Sequence, residues 1–142
     1  MKDWRRLFSR AANSGVYFDE DNAGATEILT AADSCGLTSF HLDLKSTSSK
    51  QGFLKAAADA FQFPEYFGGN WDAFADCLTD FAWCKAKGYV LLIENMEKFT
   101  DGSPEEMRIA RSIFEDAAGH WRKQRTPFFV VLAKKREGSA QS

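Results

Sequence analysis

Apolar and polar positions follow two rhythms along this chain, and the switches between them mark its elements. From Thr38 to Leu44, Phe40, Leu42 and Leu44 alternate with Ser39, His41 and Asp43, the period of a strand with one buried face. Tyr89–Ile93 and Pro127–Leu132 are continuously apolar, as in strands buried on both faces. Ser14–Phe18 reads as a short first strand. Between these runs, helical spacing takes over. A helix is predicted up to Ser34 on Ala25, Ile28, Leu29 and Ala32, with Asn22 as its cap and Gly36 as its stop. Lys50–Phe61 carries Phe53, Leu54, Ala57, Ala58 and Phe61 on one face. After the turn Gly68-Gly69-Asn70, a helix from Trp71 to about Phe81 is predicted, capped by Asn70 and with Phe74, Cys77, Leu78 and Phe81 on its core side. Ser103-Pro104-Glu105-Glu106 has the capping-box pattern, and the helix it opens runs to about Trp121.

The resulting order is strand, helix, strand, helix, helix, strand, helix, strand. It predicts an α/β fold, a mostly parallel sheet of about four strands covered by helices in a single domain. Residues 1–13 are expected to be a loose or docking leader, and 134–142 a polar tail that frays.

Composition narrows the function class. An apolar share of 44% in 142 residues is that of one globular domain and excludes disorder over most of the chain. The formal net charge of −2 argues against a general nucleic-acid binder. It conceals an asymmetry, because residues 11–81 hold eleven acids against three bases, a local −8. No apolar run is long enough to span a membrane, and the basic start lacks the apolar stretch of a secretory signal. Cys35, Cys77 and Cys84 form no CxxC spacing, so reduced thiols in a cytoplasmic protein are expected. His41, inside a strand pattern, reads as structural, and His120 suits the negative end of a helix. Neither has a metal-ligand partner in sequence, and no metal, cofactor or enzymatic activity is expected.

The informative segment is 63–81, with four acids and no base. Asp72, Asp76 and Asp80 are spaced i, i+4, i+8, which stacks three carboxylates on one helix face. Each like-charged pair costs a helix about 0.2–0.5 kcal/mol. Selection for stability alone would not choose that face. A cationic protein partner and a divalent metal are the two functional readings; a solvated face without a role is the bland one. Tyr66, Phe67 and Trp71 stand in or beside the leading loop, and aromatics beside charges favour a protein-binding patch.

The segment also resembles the barstar family of ribonuclease inhibitors. Pro64-Glu65-Tyr66, Gly68, Asn70, Asp72-Ala73 and Asp76-Cys77-Leu78-Thr79 match its motif in order without a gap. The likeness extends over about 38–133, leaving 14–37 as an added strand–helix unit of the kind found in longer bacterial members. It implies an intracellular inhibitor that presses an acidic helix and its loop into the basic active site of an extracellular-type ribonuclease, one to one, and is a monomer when free. Carried over by position, Asp76 is the phosphate-mimicking carboxylate and Asp72 supports it. Tyr66 and Phe67 stack at the mouth, followed by Gly68 and Asn70. Thr79, Asp80 and Phe81 form the far edge, and Asp116 is the acid of a later helix. Ala75 and Phe81 stand where the family carries tryptophans, and Trp71 and Asp80 where the type member has Leu and Gly. These departures point to an altered target, or to an interaction module whose partner is not a ribonuclease.

Overall fold

The four strands of the computed structural model, which describes residues 2–64 and 69–133, are β1 (Gly15–Phe18), β2 (Thr38–Asp43), β3 (Tyr89–Glu94) and β4 (Phe128–Ala133). They form one wholly parallel sheet in the order β1-β4-β3-β2. The two continuously apolar runs are its central strands, and every residue of β4 is buried. The chain crosses the whole sheet once, from β1 to β2, and then steps back through β3 to β4. Right-handed crossovers taken in opposite directions place their helices on opposite faces. So α2 (Ala25–Ser34) covers one face, over Val90, Leu92, Phe129 and Val131. The other face holds α3 (Lys50–Ala60), α4 (Trp71–Leu78), α5 (Glu97–Gly102) and α6 (Pro104–Lys123), over Phe40, Leu42, Leu91, Ile93, Phe128 and Val130.

The start of the chain is docked. Asp3 caps α1 (Trp4–Phe8) by accepting from the Arg6 amide, and Trp4 and Phe8 are buried beside α2. Two expected helix caps are displaced, one by a residue of the same turn and one by a distant partner. Asn22 does not cap α2; it takes a left-handed φ of 53°, and the amides of Ala23 and Gly24 donate to the buried Asp19 carboxylate at 2.8 and 2.9 Å. Ser103 makes no side-chain cap on α6, because its hydroxyl donates to the Ser48 carbonyl at 2.7 Å. α5 was not anticipated from the sequence pattern, since six residues are too few to show a helical period. His41 is exposed on the polar side of β2, with its Nε2 against Glu94.

Because Asp19 ties the end of β1 to the start of α2, Asp19→Ala leaves two amides without their acceptor. The expected loss is about 2 kcal/mol of folding free energy, read from the urea midpoint at unchanged slope.

Candidate functional site

The acidic surface is built on α4, and α4 is tied down at both ends. Asn70 caps its N-terminus by accepting from the Ala73 amide at 2.8 Å. The Trp71 ring lies 5.6 Å from both Phe53 and Phe74, and its indole N–H donates to Glu106 of α6 at 3.0 Å. At the other end, the indole N–H of Trp121 of α6 donates to the Leu78 carbonyl at 2.8 Å. That carbonyl is one of those a helix C-terminus leaves without an internal partner. Phe74, Cys77 and Leu78 face the core. Glu106, expected as the capping-box acid, is instead the anchor for Trp71. Trp121→Phe keeps the ring and removes the N–H. It should cost about 1–2 kcal/mol and speed amide exchange in the last turn of α4, with the rest of the sheet unaffected.

α4 ends earlier than the periodicity predicts. Thr79 is its C-cap, with its hydroxyl donating to the carbonyls of Ala75 and Asp76 at 3.2 Å. Phe81 then adopts φ 48°, ψ 28°, a left-handed conformation uncommon for a bulky residue. Asp72 and Asp76 therefore share the exposed face of α4, whereas Asp80 sits in the turn beyond it and does not extend the helical stack. All three are exposed, as is Asp116 on α6. Among the described residues no cation stands within 4.0 Å of any of these four carboxylates. Burial, with the charges of Asp80 and Asp76 adding to it, pushes the Cys77 thiol above its ordinary range and keeps it protonated.

The remaining expected positions divide. Asn70 is exposed and already engaged as the cap. Ala75 and Thr79 are half-buried beside the acids. Trp71 is half-buried and held inward, so it is a clamp of the helix more than a free surface ring. Phe81 is a correction, because it is 0% exposed and stacked 4.6 Å from Tyr89 and 5.6 Å from Phe40. It lies behind the far edge, inside the core. Tyr66, Phe67 and Gly68 lie outside the described residues. Among the described residues no three His, Cys, Asp or Glu side chains are placed to hold a metal ion, and no helix is long and apolar enough to cross a membrane.

The structure adds part of α6 to this surface. At 100° per residue, Glu106, Ile109, Ile113 and Asp116 fall on one flank of α6. The Trp71–Glu106 bond shows that this flank faces α4. Ile109 is 38% exposed, the one exposed large apolar side chain among the described residues. Arg108 and Arg111 fall on the opposite flank, where they pair with Glu105 and Glu115 at 3.3 and 3.4 Å. Over the first two turns of α6 the charge is thus sorted by side, Glu106 toward α4 and both arginines away from it. Nothing in the sequence of α6 by itself marks Glu106 or Ile109, since their role depends on which helix lies alongside.

A family model described as Barstar (barnase inhibitor) matches residues 37–133, more than two-thirds of the chain. The chain belongs to the barstar family. No curated protein matches it. The match begins just before β2, so β1, α1 and α2, which supply one edge of the sheet and the cover of one face, precede it. The family is one of inhibitors, described by the nuclease that they bind. The fold of this barstar-family protein sets α4, with its exposed Asp72 and Asp76, beside the flank of α6 that carries Glu106.

Proposed function

We propose that this protein is a ribonuclease inhibitor that occludes a basic active site with the exposed face of α4, the turn after it and the adjoining flank of α6. The observation that carries this reading is the set of exposed carboxylates Asp72, Asp76, Asp80 and Asp116, none of which has a cation beside it among the described residues. A nuclease site must hold Arg and Lys to stabilise the charge of its transition state. Unpaired carboxylates on a fixed helix complement such a site and form charge-assisted hydrogen bonds there. Because α4 is clamped through Trp71 and Trp121, little ordering remains to be done on binding. The surrounding acidic field speeds encounter with a cationic partner. Asp76 takes the position of the substrate phosphate, Asp72 supports it, and Asp80 and Asp116 bound the contact. Tyr66, Phe67 and the backbone of Gly68 complete the mouth, and Asn70 and Thr79 border it. The free protein is a cytoplasmic monomer, and the complex is one to one with no nucleic acid in it.

Titration against a panel of small secreted ribonucleases, with RNA cleavage as the readout, tests this directly. Loss of cleavage at one equivalent of inhibitor is expected for at least one of them. No inhibition of any member at low salt overturns the reading, and capture of a different protein from the native host would then support the interaction module.

A further inference from the structure

The carboxyl ends of the strands carry a second feature, away from α4. β1 leads into α2 on one face of the sheet, and β3 leads into α5 and α6 on the other. β4 lies between them. Between the carboxyl ends of β1 and β4 and the start of α6 lies a groove of about 320 Å³. Phe18 ends β1, Leu132 lies near the end of β4, and Met96 follows β3. Met107 and Pro104 of α6 close the apolar wall, and Arg108 and Arg111 stand at the rim. The size falls at the lower end of that for small-molecule sites, about 300–1,000 Å³, and an apolar lining with a few polar groups at one edge is their usual chemistry.

The charges give the groove a direction. The Arg111 guanidinium lies 4.8 Å over the Phe18 ring. Both arginines have acidic neighbours, Glu105 and Glu115, but only across exposed intrahelical pairs at 3.3 and 3.4 Å. Such pairs contribute little and leave guanidinium donors to spare. The cleft on the other side of Phe18 and Leu132 is bordered by Asp19 and Glu20, which repel an anion. We propose that this groove binds a small aromatic or branched monocarboxylate, with its apolar body between Phe18, Met96, Met107 and Leu132 and its carboxylate on Arg108 and Arg111. Methionines suit such a site, because their unbranched side chains adapt to irregular shapes. The proposal is independent of ribonuclease inhibition, since the groove lies on the flank of α6 turned away from α4.

Titration of the full chain with phenylacetate, followed by amide and methyl shifts, tests it. Saturable shifts confined to Phe18, Met96, Thr100, Met107 and Leu132 are expected. Phenylacetamide, which keeps the shape and removes the charge, should bind at least tenfold more weakly. Arg111→Gln should weaken phenylacetate at least fivefold and leave phenylacetamide unchanged. Met107→Trp, which fills the groove, should abolish both while thermal unfolding stays cooperative. Equal binding of acid and amide overturns the anion assignment, and absence of saturable shifts at 10 mM, on the order of the weakest affinity worth calling a site, overturns the groove itself.

Discussion

Replacing Asp76 by alanine should weaken the complex with an inhibited ribonuclease by roughly thirty- to several-thousand-fold, while the free protein becomes no less stable. Removing one member of a buried, hydrogen-bonded charge pair at an interface costs about 2–5 kcal/mol, much of it because the opposing charge is left buried and unpaired. Close charge pairs on the type complex of this family, barnase with barstar, couple by about 1.5–7 kcal/mol, a span that includes it. In the free chain Asp76 has no such benefit. It sits one turn after Asp72, near the negative end of α4, with no cation within reach among the described residues. Relieving that repulsion should raise stability by about 0.5 kcal/mol, or roughly 1–2 °C in Tm. The opposite signs separate a binding residue from a structural one. Calorimetric titration gives the affinity and thermal unfolding the stability. Wild-type affinity should fall steeply with added salt, and that slope should be shallower for Asp76→Ala. A variant that loses affinity and stability together would falsify the assignment of Asp76 as the central contact.

Phe81 carries the largest expected effect on folding. Its ring is fully buried among Phe40, Trp83, Tyr89 and Phe128. Phe81→Ala should cost about 3–5 kcal/mol through lost burial and the cavity left behind. That is a third or more of the stability of many domains of this size. Its backbone adds a second effect, since at φ 48° any L side chain is strained. Phe81→Gly removes the same ring and accepts that conformation freely. It should therefore be less damaging than Phe81→Ala by about 1 kcal/mol, an inversion of the usual order of Ala over Gly. Urea unfolding of the pair checks this, and equal midpoints would mean that the strain is not held at Phe81. Because the left-handed turn also ends α4 and places Asp80, both variants should lose some inhibitor affinity even where they remain folded.

Much of this was legible along the chain, for particular reasons. Phe40, Leu42 and Leu44 alternate because β2 is an edge strand with one face in water. Tyr89–Ile93 and Phe128–Leu132 do not alternate, because the central strands are covered twice. Asn70 was readable as a cap because its partner, the Ala73 amide, is three residues away. Features whose partners are close in sequence, or are simply oil or water, leave a local trace.

Where a side chain had a distant alternative, the local pattern was overruled. Ser103 has the right neighbours for a capping box, yet its hydroxyl meets the Ser48 carbonyl, fifty-five residues away. Glu106 meets the Trp71 indole, thirty-five residues away. Helical spacing carried α4 on to Phe81, but the stacking of Phe81 on Tyr89 favours a left-handed turn there, so Asp80 leaves the helix.

By itself the sequence determined the class of fold, the central strands, and the concentration of unopposed acids on one short helix; each depends only on periodicity or on residues within two turns of one another. Which helix lies beside α4, that α6 turns Glu106 and Ile109 toward it, that Phe81 reaches the core from a left-handed turn beyond the helix, and that a groove opens at the ends of β1 and β4 were decided by the tertiary structure alone. These are relations between residues tens of positions apart, set by crossover direction and by which buried rings and indole N–H groups find partners.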